Sequence, residues 1–216
     1  MHEDLSNYRK SYEKTELLIS NVDENPIQQF QTWFYEVEKL GGMDEANAMT
    51  ISTIGLDGFP KSRVVLLKKY TAEGFIFFTN YDSEKGKSII ANPKVCLSFF
   101  WPNAERQVII KGTAEKVSEE VSEAYFQSRP NGSKLGAIVS KQSKVISEDR
   151  NLLENKLKEL ERKYAGKEIA RPKNWGGFLV RPFSIEFWQG RPNRLHDRIR
   201  YTWKDKYDWK MERLAP

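Results

Sequence analysis

Between Asn25 and Gly42 apolar residues return every three or four positions, whereas from residue 49 onward the period shortens toward two. The longer period predicts a helix over "NPIQQFQTWFYEVEKLGG", with Ile27, Phe30, Phe34, Val37 and Leu40 on one apolar face. Asn25 is placed to cap it, Pro26 suits its first turn, and Gly41 can end it. The shorter period predicts two strands in "MTISTIGLDGFPKSRVVLLKKY" around a "DG" turn, then a third in "GFIFFTN". "SEKGKSIIANP" reads as a short helix capped by Ser83, and "KVCLSFFW" and "RQVIIKGTAEKV" read as two more strands. The strands leave little room for crossover helices, which favours an antiparallel sheet or barrel.

Downstream, "SEEVSEAYFQSRP" predicts a helix ending at Arg129, because Pro130 disfavours helix before it. "GSKLGAIVSKQS" holds room for another short helix. "SEDRNLLENKLKELERKYAG" predicts an amphipathic one with a buried stripe of Leu152, Leu153, Leu157, Leu160 and Tyr164. Strand character returns in "WGGFLVRPFSIEFWQG" and "RIRYTWKDKYDWKMERLAP". Residues 1–24 are polar and aperiodic and read as a mobile arm. Residues 25–216 read as a single α+β domain built on a β-barrel.

Composition narrows the function classes. Of the 216 residues 39% are hydrophobic and 30% charged, enough for one sizeable core and against wholesale disorder. A net charge of +5 suits nucleic acid or small phosphorylated ligands, but the basic residues form no terminal tail. Cys96, the single cysteine, lies in a run that reads as a buried strand and is expected to act as a small hydrophobe. One cysteine and two histidines exclude an intramolecular disulfide and put a Cys/His zinc cluster out of reach; no metal is expected. The N-terminus has no signal-peptide core and no apolar run nears membrane-spanning length, so a cytoplasmic protein is expected.

Three basic stretches carry candidate chemistry. In "EFWQGRPNRLHDRIR" (186–200) Arg194, His196, Arg198 and Arg200 alternate, so an extended backbone would set them on one face, opposite Leu195, Asp197, Ile199 and Tyr201. Such a row is costly unless solvent or an anion meets it, and from pattern alone a solvated face and a site stand equal. In "KSRVVLLKK" Arg63 and Lys68 have odd separation, which puts them on opposite faces of a regular strand. Either a bulge intervenes, or they serve two different groups, or the run is an ordinary strand with charged ends, the reading the pattern alone favours. In "AYFQSRPNGS" Tyr125 and Arg129 share a helix face and Ser133 follows just past the helix end, three donors suited to a phosphate. Gln107, and Gln142 beside Ser143, are polar groups suited to a heterocycle edge; ordinary exposed side chains are the alternative.

Taken in order, "RVVLLK" (63–68), "FFTN" (77–80), "ERQV" (105–108), "YFQSRPNGS" (125–133), "VSKQS" (139–143), "WGGF" (175–178), "EFWQG…RLHDR" (186–198) and "ERLAP" resemble the pyridoxine/pyridoxamine 5′-phosphate oxidase family from about Asn25 to Pro216. The resemblance implies an antiparallel split β-barrel with peripheral helices and a homodimer with FMN at the subunit interface. It implies oxidation of pyridoxine or pyridoxamine 5′-phosphate to pyridoxal 5′-phosphate, with O2 as acceptor, H2O2 as product and ammonia released from the amine. Carried over, Arg63, Val64, Val65, Leu66, Leu67 and Lys68 line FMN, with Arg63 near its phosphate. Phe78, Thr79, Lys85, Gln107, Gln142, Ser143, Trp188 and Arg198 complete the flavin contacts. Lys68, Tyr125, Arg129 and Ser133 hold the substrate phosphate, and Arg194 and His196 lie over the reacting carbon. "RKSY", Arg9, Lys10, Ser11 and Tyr12, resembles the segment that covers substrate. The two cations of "RVVLLK" then serve two phosphates. Glu84 departs from the pattern, standing where the family usually has an arginine. Neither nucleic acid nor membrane is expected as a partner. A non-catalytic flavin or pyridoxal-phosphate binder is the alternative.

Overall fold

The computed structural model describes residues 3–146, 151–205 and 208–216. Residues 147–150, expected to open the third and longest of the downstream helical segments, and residues 206–207 of the terminal strand region lie outside the described residues. The chain forms two compact units. Unit one takes residues 1–49, 97–111 and 182–216, and unit two takes residues 50–96 and 112–181.

The chain opens with a 3-10 turn at Ile19–Asn21 and α1 at Pro26–Leu40. There follow β1 (Ala48–Ile54), β2 (Pro60–Leu66), β3 (Lys69–Thr71) and β4 (Gly74–Asn80), then α2 (Glu84–Ala91). Next come β5 (Lys94–Trp101), β6 (Arg106–Lys116), α3 (Glu119–Ser128), α4 (Asn131–Val139) and α5 (Asn151–Lys163). The chain closes with β7 (Trp175–Gln189), β8 (Asp197–Asp205) and β9 (Asp208–Leu214). The sheet order is β2-β1-β5-β6-β7-β4-β3, with β8 beside β7 and β9 beside β8. The pairs β3–β4, β4–β7, β7–β8 and β8–β9 are antiparallel.

Local chemistry sets most boundaries. The Asn25 side chain accepts the Ile27 N–H, Ser83 that of Gly86, and Ser118 that of Val121, each satisfying a donor the helix leaves unpaired. Gly41 and Gly58 take φ of +69° and +82°, which let α1 stop and the β1–β2 turn close.

In unit one Phe30 packs on Phe99 at 5.1 Å, Trp33 on Phe187 at 5.1 Å, and Phe187 on Tyr201 at 5.7 Å. Each ring, fully buried, contributes roughly 1.5–3 kcal/mol. In unit two Phe126, Leu135, Ile169 and Trp175 form the cluster against which Leu157, Leu160 and Tyr164 of the α5 region pack.

Five expectations need correcting. Leu40 is 53% exposed; the buried stripe of α1 is Phe30, Trp33 and Val37, because the large Trp33 ring, missing from the expected face, turns that face toward itself. The α5 stripe is half-buried rather than buried, one side of it staying open to solvent. Cys96 is half-buried, since strand alternation sends Val95, Leu97 and Phe99 to the core and Cys96 to the other face. The short strand β3 was not foreseen. Arg194 is not in a strand: it closes a 3-10 turn, Pro192–Arg194, with φ of +61°, and Leu195 is exposed. Alternation begins only at His196, from where Asp197, Ile199 and Tyr201 are buried and His196, Arg198 and Arg200 half-buried.

Candidate functional site

Unit two holds a cavity of about 700 Å³. Residues 64–66 and Lys68 form one wall, and Phe78, Thr79 and Lys85 another. Tyr125, Arg129 and Ser133 come from α3 and α4, and Gln142 and Trp175 complete the lining. Its charged lining residues are Lys68, Lys85 and Arg129, with no carboxylate among the described residues around it. Such a lining selects an anion.

Local structure explains why these groups meet. Four residues of helix separation put Tyr125 and Arg129 on one side of α3, with Arg129 as its C-cap. Ser133 lies in the first turn of α4 rather than beyond a helix end, because Pro130 breaks one helix and α4 starts immediately after it. Register pairs Phe78 with Gly177 and Asn80 with Trp175, so "FFTN" and "WGGF" face each other across β4 and β7. The Phe78 ring stacks on Tyr125 at 4.0 Å and on Trp175 at 5.7 Å. A Cβ on Gly177 would come within 2.8 Å of the Phe78 ring, so only glycine lets that ring lie against the strand. The Arg129 guanidinium lies over Trp175 at 4.6 Å. Its Nη1 is buried without a hydrogen-bond partner among the described residues, and burial pulls its pKa down. Burial, then Arg63, likewise lowers Lys85, whose ammonium donates to Thr79 Oγ1 at 3.0 Å. Desolvated cations without counter-charges are what a phosphate oxygen satisfies.

Arg63 and Leu67 do not line this cavity. The Leu67 side chain is buried. Arg63 and Lys61 both pair with Glu84, Arg63 at 3.0 Å, and these pairs hold the Glu84 carboxyl below its ordinary range. Ser143, at φ +67°, accepts the Glu84 N–H with its Oγ at 3.2 Å. The residue that departs from the family pattern thus occupies Arg63, the cation expected near the cofactor phosphate, together with Lys61.

Unit one groups another set. Trp188 and His196 are 4.7 Å apart, and Tyr12 stands edge-on to both, at 5.7 and 5.8 Å. His196 Nδ1 accepts the Arg191 N–H at 3.1 Å, so the ring carries its proton on Nε2. Arg198 donates to Glu186 at 2.8 Å and Arg200 to Glu212 at 2.9 Å. Carboxylates of β7 and β9 therefore neutralise part of the basic row, a cross-strand arrangement that the local sequence does not display. Gln107 donates to Ser98 at 3.1 Å. Among the arm residues, Arg9 donates to Ser6 O at 3.0 Å, Lys10 pairs with Glu105 at 3.2 Å, and Ser11 is exposed. Arg194 is exposed as well. Sequence reasoning passed over Trp175 as a site residue, although "WGGF" contains it, and passed over Glu105 and Asp197, whose burial no local pattern signals.

The largely antiparallel sheet is that of the split-barrel class, and the charge of its basic, aromatic-walled cavity suits an anion. Family models match residues 38–164, "Pyridoxamine 5'-phosphate oxidase", and residues 175–216, "Pyridoxine 5'-phosphate oxidase C-terminal dimerisation region". The chain belongs to the pyridoxamine 5′-phosphate oxidase family, whose members are oxidoreductases. It is 67% identical over 213 residues to the pyridoxine/pyridoxamine 5′-phosphate oxidase of Flavobacterium psychrophilum, covering 99% of each chain. It is 55% identical to that of Christiangramia forsetii over the whole of both chains. Among solved structures it resembles PhzG from Burkholderia lata in complex with tetrahydrophenazine-1-carboxylic acid, with TM-score 0.85 and 26% identity over 94% of this chain and 100% of that one. The fold is the expected split barrel. Among the described residues no helix is long and apolar enough to cross a membrane.

Proposed function

We propose that this chain oxidises pyridoxine 5′-phosphate or pyridoxamine 5′-phosphate to pyridoxal 5′-phosphate, using FMN. The observation that carries this reading is the cavity lined by Lys68, Lys85 and Arg129 with, among the described residues, no carboxylate around it and no hydrogen-bond partner for Arg129 Nη1. The residues fit a phosphorylated flat ring: cations for the phosphate, and stacked Phe78, Tyr125 and Trp175 for an apolar wall. Bound FMN would supply the hydride acceptor, with O2 as terminal acceptor giving H2O2, and with ammonia released from the amine substrate.

In this reading Lys68, Tyr125, Arg129 and Ser133 bind the substrate phosphate. Residues 63–68, Phe78, Thr79, Lys85, Gln107, Gln142, Ser143, Trp188 and Arg198 hold the flavin. Arg194 and His196 steer the 4′ substituent and its proton, with His196 Nδ1 engaged by the Arg191 N–H and Nε2 left to carry the ring's proton. Arg9, Lys10, Ser11 and Tyr12 cover the substrate. Clamping each ligand by its phosphate makes the encounter of two rings close to unimolecular. The enzyme works as a cytoplasmic homodimer with FMN at the interface, residues 25–216 acting as one oxidase domain. Support for the dimer comes from the C-terminal dimerisation match and from Val64, 70% exposed although it lines the cavity.

The test is an aerobic peroxide assay on the purified yellow protein with pyridoxine 5′-phosphate, alongside unphosphorylated pyridoxine. Peroxide formed only with the phosphate ester supports the reading. Stoichiometric flavin without peroxide from either phosphorylated substrate would make the protein a carrier instead.

A further inference from the structure

Unit one contains a buried carboxylate for which the proposed chemistry has no use. Glu105 is 2% exposed and sits just before β6 with φ of +55°, a conformation uncommon for a side chain of this size. Its Oε2 accepts the N–H groups of Glu13 and Lys14 at 2.9 and 3.1 Å, and its Oε1 faces the Lys10 ammonium at 3.2 Å. Its backbone carbonyl accepts the Gly190 N–H at 2.8 Å and the Gln189 side-chain amide at 3.2 Å. One residue therefore ties residues 10–14 to the end of β7.

Tyr12 lies inside that tie, edge-on to Trp188 and His196. It presses so closely on Gly190 that a Cβ there would stand 2.6 Å from Tyr12 Cγ. Buried Asp197 makes a second hold by accepting the Leu17 N–H at 3.0 Å, and Arg191 donates to Thr15 O at 3.1 Å. Among the described residues, every polar contact of the Glu105 carboxylate comes from the arm. Undocking would leave a buried charge uncompensated, which biases the arm toward the docked state.

We propose that Glu105 is a positioning residue: it holds residues 10–14 so that the Tyr12 ring closes against Trp188 and His196 and narrows the space over the reacting ring. The consequence for turnover rests on the functional reading above, whereas the docking itself does not.

The experiment compares holoenzyme with Glu105→Ala and Glu105→Gln by three readouts. Trypsin should cut after Lys10 and Lys14 about tenfold faster in Glu105→Ala, since cleavage follows local opening. With only two histidines in the chain, the His196 ring resonances can be followed, and they should shift as the Tyr12 ring current is lost. The KM for pyridoxine 5′-phosphate should rise about tenfold with kcat within about twofold, the pattern of lost binding rather than lost chemistry. Glu105→Gln keeps an acceptor for the backbone N–H groups but loses the charge that meets Lys10, and should fall between. Unchanged cleavage with an unmoved His196 resonance would overturn the proposal, and so would an opened arm with unaltered KM. If Glu105→Ala does not fold, Lys10→Glu attacks the same tie from the exposed side and should speed cleavage after Lys14. A wild-type enzyme that yields no peroxide would sink the functional reading alone, because cleavage and the His196 resonance would still decide whether Glu105 positions Tyr12.

Discussion

Arg129 joins three properties that seldom meet in one side chain: half-burial, a guanidinium stacked on an indole, and a buried Nη1 without a hydrogen-bond partner among the described residues. Replacing it by alanine should cost about 1.5–3 kcal/mol of binding to the phosphorylated substrate, the worth of a charge-assisted contact. The measurement is KM against flavin absorbance: KM rises while FMN content stays. Equal loss of flavin would assign this cation to the other phosphate. Glu84 is the opposite case, an acid among cations, with its carboxyl held low chiefly by Lys61. Glu84→Gln releases Lys61 and Arg63 for the cofactor phosphate, so the Kd for FMN measured by fluorescence quenching should fall. An unchanged Kd would mean that the flavin phosphate does not use this pair.

β8 shows how an element redistributes what looked uniform along the chain. His196, Arg198 and Arg200 do alternate, but each meets a different neighbour: the Arg191 backbone, Glu186 and Glu212. Arg194 stands outside the strand, in the left-handed residue that ends the preceding turn. Arg194→Ala and His196→Ala should lower kcat while leaving the melting temperature nearly constant. Arg200→Ala should cost no more than about 1 kcal/mol of stability, the worth of a partly exposed ion pair, and should leave turnover intact. Kinetics and thermal melts on the three FMN-loaded variants distinguish these outcomes. Uniform near-wild-type kcat/KM would make the stretch a charged surface.

For the molecule as a whole, acid should act through carboxylates that hold segments together. Burial raises the Glu105 carboxyl, but the Lys14 N–H, the Lys10 ammonium and the Glu13 N–H outweigh it and leave the pKa below the ordinary glutamate range. Glu212 is lowered too, first by Lys210 and then by Arg200. A depressed folded pKa means that the stabilisation is complete above the unfolded value and is lost as pH falls through the folded one. Melting temperature should therefore hold through neutral and mildly acidic pH and drop below the normal glutamate range. In Glu105→Gln that drop should be shallower, and an identical acid limb in both proteins would remove Glu105 from the account.

Periodicity, caps and turn residues were local facts, and they were sufficient for the helix begun by Asn25, the "DG" hairpin and the ends of α2 and α3. Each depends on contacts within a few residues, which sequence spacing encodes directly. The motif set placed Lys68, Phe78, Thr79, Lys85, Tyr125, Arg129, Ser133 and Gln142, and the fold brings all of these around one cavity. Other features were decided only in three dimensions. Arg63 meets Glu84 from 21 positions away, and Glu13 meets Glu105 across 92. Trp175 reaches Phe78 and Tyr125 through the β4–β7 register. The charge state and freedom of a side chain depend on which groups share its few cubic ångströms, and strand pairing, not chain proximity, chooses those groups.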